Sequence, residues 1–161
     1  MDLSVEVRLG QGGHKDLFLK IPLLGVSVCA DTYYFVLALE ERQIRVDEVA
    51  IRQAVVSLLQ YWIDRASNLK DLETIHLPFD FSDQYTGCLQ VTAEGSSFHL
   101  SYGFSLIEGW RVNPLSPGHY SHQVGDFRQQ ENCEHRIPRS DFIGTLNRSI
   151  ADLESETAQP L

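Results

Sequence analysis

Residues 3–9, LSVEVRL, alternate Leu3, Val5, Val7 and Leu9 with polar residues, the two-residue period of a strand that buries one face. The GQGG at 10–13 has the flexibility of a turn, and the LFLKIPLL that follows is again strand-like, so a hairpin is the simplest element. TYYFVLALE (32–40) places apolar residues on both parities and predicts a central strand covered on two sides. From 47 to 68 the period changes. Ile51, Val55, Leu58, Leu59, Trp62, Ala66 and Leu69 recur at helical spacing, while Arg52, Gln53, Gln60, Asp64 and Arg65 fall opposite. Asp47 suits the N-cap, and Val46 could staple against Ile51.

Strand patterns return in TIHLPFDF (74–81), where Pro78 points to an edge or a bulge, and in YTGCLQVTA (85–93). After the turn EGSS, residues 98–107 alternate Phe98, Leu100, Tyr102, Phe104 and Leu106 without a break, which makes these last two strands the best-marked hairpin. A closing helix at 140–156 follows Pro138, starts at a Ser140 cap and buries Phe142, Ile143, Leu146, Ile150 and Leu153. The pattern as a whole predicts one α+β domain over 1–156, an antiparallel sheet with the helices 47–68 and 140–156 packed on one face, and a frayed tail at 157–161.

One stretch has no period. Residues 109–137 are punctuated by Asn113-Pro114, Ser116-Pro117-Gly118 and Gly125, yet carry Trp110, Tyr120 and Phe127, aromatics that a disordered linker lacks. This predicts an ordered irregular loop docked by its aromatics, and the functional surface.

Composition narrows the function. With 161 residues, 43% of them hydrophobic, the chain can bury one sizeable core. Its formal charge of −9, from 22 acids against 13 bases, would repel a nucleic-acid backbone and attract a basic protein surface. Three dispersed cysteines suit a reducing compartment, and no apolar run approaches the ~20 residues that span a bilayer, so a cytoplasmic protein that contacts neither membrane nor nucleic acid is expected.

Candidate chemistry gathers in HYSHQVGDFRQQENCEH (119–135). His119, His122, Cys133 and His135 could satisfy a tetrahedral zinc, although H-x2-H and C-x-H are loose for paired knuckles, and loop histidines without metal are the favoured expectation. The alternative is a metal-binding protein or metal-dependent enzyme that uses these four residues with Asp126 or Glu134 as base, and a Cys133–His135 dyad is disfavoured because adjacent donors in one loop seldom present the attack geometry. Asp80 and Asp83 are either paired carboxylates or turn residues, and the turn is favoured. Cys88 fits a small core residue, and His76 and His99 fall on the polar parity of their strands. GQGGH (10–14) is no phosphate loop, and no G-x-S-x-G elbow occurs.

The expected function is therefore a non-catalytic acidic module that docks a basic protein through the loop 109–137. Its anchors would be Trp110, Tyr120 and Phe127, rimmed by Asp126, Glu131 and Glu134. In size, charge and missing catalytic chemistry this profile resembles that of bacterial immunity proteins, which occlude the basic active site of a toxin. A homodimer through an edge strand such as 74–81 is a further expectation.

Overall fold

The computed structural model describes residues 1–9 and 15–157. Alternating apolar residues make β1 (Ser4–Val7) and β2 (Leu17–Ile21), which pair antiparallel from Ser4↔Lys20 to Val7↔Leu17. The 10–14 turn of that hairpin lies outside the described residues, and of the tail only Thr157 is described. Pro22 ends β2 in a 3-10 turn, Pro22–Leu24, before β3 (Val26–Ala30) completes a three-stranded sheet in the order β1-β2-β3. A second antiparallel sheet runs β4 (Thr74–Phe81), β5 (Thr86–Glu94), β6 (Ser97–Ser105) and β7 (Arg128–Pro138), in chain order. The class is α+β as expected, but the strands divide between two sheets.

Two elements correct the sequence expectations. Residues 32–40 form no strand: α1 (Tyr33–Glu41) is a helix that buries Phe35, Ala38 and Leu39, three and four residues apart, as one helical face requires. The second correction is β7, which occupies the last third of the predicted loop 109–137. Only Cys133 and Ile137 of its eleven residues are buried, so it carries no alternation to mark it.

Helix α2 (Glu48–Ser67) follows its sequence period, with the Asp47 carboxylate accepting from the Ala50 N–H at 2.8 Å. Arg52, expected on the polar face, is instead buried. Its guanidinium pairs with Glu48 and with Glu156 of α4 (Arg139–Thr157), and donates to the Val7 carbonyl at 3.0 Å. Helix α4 starts directly from β7, so Ser140 lies in its first turn and not at a cap. Phe142 meets Phe98 edge-on at 5.6 Å, and α2 and α4 pack on each other. One apolar cluster joins both sheets to α1, α2 and α4.

Pro78 has the effect its sequence predicts. Leu77 pairs with Leu89 and Asp80 with Gly87, so β4 spends one residue more than β5 between these rungs, and the register shifts between Pro78 and Asp80. The Trp62 indole N–H donates to the Pro78 carbonyl at 3.0 Å, anchoring this bulge to α2. β7 bulges more widely: Gln129 pairs with Gly103 and Glu134 with Ser101, and Asn132 takes φ +57 between them.

Gly103 permits that second bulge, because a Cβ there would lie 2.1 Å from the Arg128 carbonyl oxygen. Gly103→Ala should therefore lower stability by at least about 2 kcal/mol, read as an earlier urea midpoint. An unchanged midpoint would contradict this strand register.

Candidate functional site

The segment between β6 and β7 is ordered and lies across the sheet face that carries His76, Gln90 and Ser101. It is tied at several points. Leu106 N–H donates to Asp126 (3.1 Å), Gly109 N–H to the Ser82 carbonyl (2.6 Å), and the Tyr61 hydroxyl to the Gly118 carbonyl (3.1 Å). Helix α3 (Tyr120–Gln123) sits against β4, where the Ser121 hydroxyl accepts from the His76 backbone N–H at 2.8 Å. That bond occupies the outer edge of β4, so a second copy could pair with 74–81 only by displacing α3.

The three aromatics of this segment separate in role. Tyr120 is 1% exposed, with its hydroxyl among Cys88, Ser105 and Thr86 but without a hydrogen bond of good geometry. It is a core anchor, not the contact surface expected. Phe127, half-buried, packs on the His76 ring at 5.2 Å. Of the three, Trp110 alone projects outward, 64% exposed, and follows Gly109, which lies so tightly against the backbone of Phe81 and Ser82 that a Cβ would come within 2.7 Å of it.

His76, expected at the surface, is buried under this segment. Its Nε2 meets the Gln90 side-chain amide at 3.0 Å, and Ser101 donates to the Gln90 carbonyl oxygen at 3.1 Å. Its Nδ1 is buried without a partner, and burial holds the ring's pKa below its ordinary value.

The four candidate zinc ligands are not brought together. His119 and His122 stack on each other at 5.6 Å, both exposed; Cys133 is buried in the β7 bulge, and His135 is exposed further along that strand. Among the described residues no three His, Cys, Asp or Glu form a group that could hold a metal. Burial pushes the Cys133 thiol up and Cys88 to about 12, the opposite of nucleophile activation. Of the acids, Asp126 is engaged with Leu106, Glu131 is exposed in the bulge, and Glu134 faces His99 at 3.6 Å.

What the fold does assemble is a cleft of about 550 Å³ between the end of β3, the start of α1 and the β4–β5 turn. Asp31, Asp80 and Asp83 line it beside Tyr33, Tyr34 and Tyr85, with Lys15 as the one basic lining residue described. The bulge in β4 places Asp80 here, on the face of Leu77. Burial raises the Asp80 carboxyl above its ordinary range, while the Tyr85 hydroxyl approaches it at 3.4 Å. Of the two acids expected in the turn, Asp83 falls there, where Ser82 N–H donates to the Tyr85 carbonyl, whereas Asp80 lies in β4. Asp83 accepts from the Tyr34 hydroxyl, which pushes that phenol up to about 12. Tyr85 meets the exposed Phe104 edge-on at 5.9 Å, and Trp110 follows the residue bonded to Ser82. Tyr33 and Tyr34 were missed because 32–40 reads as a buried strand; their doublet next to Asp31 was the available signal.

Compared with family models, with curated proteins and with solved structures, the chain matches none. No helix among the described residues is long and apolar enough to cross a membrane.

Two outcomes follow. Untagged, dialysed protein should hold well under one zinc per chain by elemental analysis, and its melt should be insensitive to chelator. One zinc per chain with a chelator-lowered melt would contradict the separation of the four ligands. The second concerns pH. Because the folded state depresses the His76 pKa, the unfolded chain binds that proton more readily, so its contribution to stability is lost as pH falls below about 6.5. The urea midpoint should drop between about pH 7.5 and 5.5 and drop less in His76→Asn; equal pH dependence would count against a buried neutral His76.

Proposed function

We propose that the chain is a non-catalytic acidic binding module that docks a basic protein partner, neutralising or regulating it as the profile shared with bacterial immunity proteins suggests. The observation that carries this reading is one shared end of the molecule where exposed aromatics and carboxylates meet. Tyr33, Tyr85, Phe104 and Trp110 are exposed there, around a cleft holding Asp31, Asp80 and Asp83. Aromatic anchors among acids suit a partner rich in lysine and arginine, since rings attract cations over their faces and carboxylates steer them in. The surface has moved from where the sequence put it. In this reading Trp110 is the anchor, and Tyr120 and Phe127 hold the segment that presents it.

Immobilised protein should retain basic proteins from a lysate at low salt and release them as salt rises. The Tyr85→Ala/Trp110→Ala variant should bind the same proteins about thirtyfold more weakly. Equal retention by the variant, or retention indifferent to salt, would contradict the reading.

A further inference from the structure

Sheet edges are where a folded chain is open to another chain, and folded proteins cover or blunt them. Three of the four edges here are managed. Around β1, the Leu3 N–H donates to Thr145, its carbonyl accepts from Ser149, and the Val7 carbonyl accepts from Arg52. β4 is covered by α3 and Ser121, and β7 is charged, exposed and bulged. The fourth edge is β3. Among the described residues no strand pairs with its outer side, its sequence VSVCA carries neither charge nor proline, and its register with β2 is unbroken from Val26 to Ala30. In such a strand every second residue turns its N–H and C=O away from its neighbour.

This open edge lies along a groove. Residues 27–31 line, without a gap, the acidic cleft and a second cleft of about 360 Å³ beside it; the two share Asp80 and Tyr85. The second cleft has Gly87, Gly103 and Phe104 on its far side, together with Tyr102, whose hydroxyl fills the space a Gly87 Cβ would take. β3 and β4 also touch, so an added segment would run along the stretch of β3 that lines the second cleft, Ser27 and Val28, with its continuation entering the acidic cleft.

We propose that the partner enters this groove as an extended basic segment, pairing its backbone with the outer edge of β3 and placing a lysine or arginine among Asp80, Asp83 and Tyr85. This rests on the basic-partner reading above and adds the mode of recognition: main-chain hydrogen bonds supply affinity, and the charged end supplies selection. A net charge of −9, with Asp80 and Asp83 lining the cleft, favours a cationic occupant over a second copy of this acidic chain.

Cys29 gives a direct readout, because it is exposed within the groove while Cys88 and Cys133 are buried. The probe is a short cysteine-free peptide alternating lysine or arginine with valine, compared with a twin N-methylated on alternate amides. The twin keeps every charge and loses one edge of hydrogen bonding. At low salt the peptide should bind by fluorescence anisotropy and slow iodoacetamide labelling of Cys29 several-fold, and the twin should bind about tenfold more weakly. Equal protection by the twin would overturn edge pairing and leave charge-driven docking intact. Binding without Cys29 protection would overturn the groove, again leaving the basic-partner reading intact. Cys29 protection that grows with protein concentration alone would assign the edge to a second copy. Absence of peptide binding overturns this proposal, and only loss of salt-sensitive capture of basic proteins overturns the reading beneath it.

Discussion

One extra residue in β4 decides what this molecule presents. Without the bulge at Pro78, strict alternation would turn Asp80 to the side of His76, beneath the β6–β7 segment. With it, Asp80 stands on the face of Leu77 and enters the cleft beside β3. Two causes hold the bulge. Proline cannot donate to the ladder, and the Trp62 indole takes the Pro78 carbonyl from the other side. A buried carbonyl left without that donor would cost about 1–3 kcal/mol, so the helix that closes the core also fixes the position of the acid.

The β6–β7 segment does a complementary task on the opposite face. That face carries hydroxyls, an amide and an imidazole, and it is buried all the same, because Tyr120 and Phe127 lie over it and Ser121 takes the β4 edge. Two polar atoms beneath, the Tyr120 hydroxyl and His76 Nδ1, remain without partners. Covering this face closes one edge and thrusts Trp110 out at the end where the tyrosines and carboxylates gather. Packing, edge protection and the proposed recognition surface all depend on the same segment.

How much of this was legible depends on period and on distance along the chain. α2 and the β5–β6 hairpin were plain because each buries one regular face, and Pro78 marked its own bulge. α1 was lost because TYYFVLALE is apolar on nearly every side, which hides the difference between two-residue and helical periods. β7 was lost for the opposite reason: an outer strand that is mostly polar resembles a loop. The division into two sheets depends on which strands meet, and no local pattern encodes it. The candidate site failed in the same way. His119, His122, Cys133 and His135 are near in sequence and separate in space, whereas Asp31 and Tyr34 meet Asp83 and Tyr85 across some fifty residues, a distance over which side-chain pattern carries no signal.

The central claim is that a basic partner docks where β3, the β4–β5 turn and Trp110 converge. Hydrogen exchange of the complex with a captured basic protein tests it most directly. The account predicts slowed exchange in residues 27–31, 82–85 and 109–111, with the outward faces of α2 and α4 unchanged. Slowing confined to those two helices, or to the exposed strand β7, would contradict it.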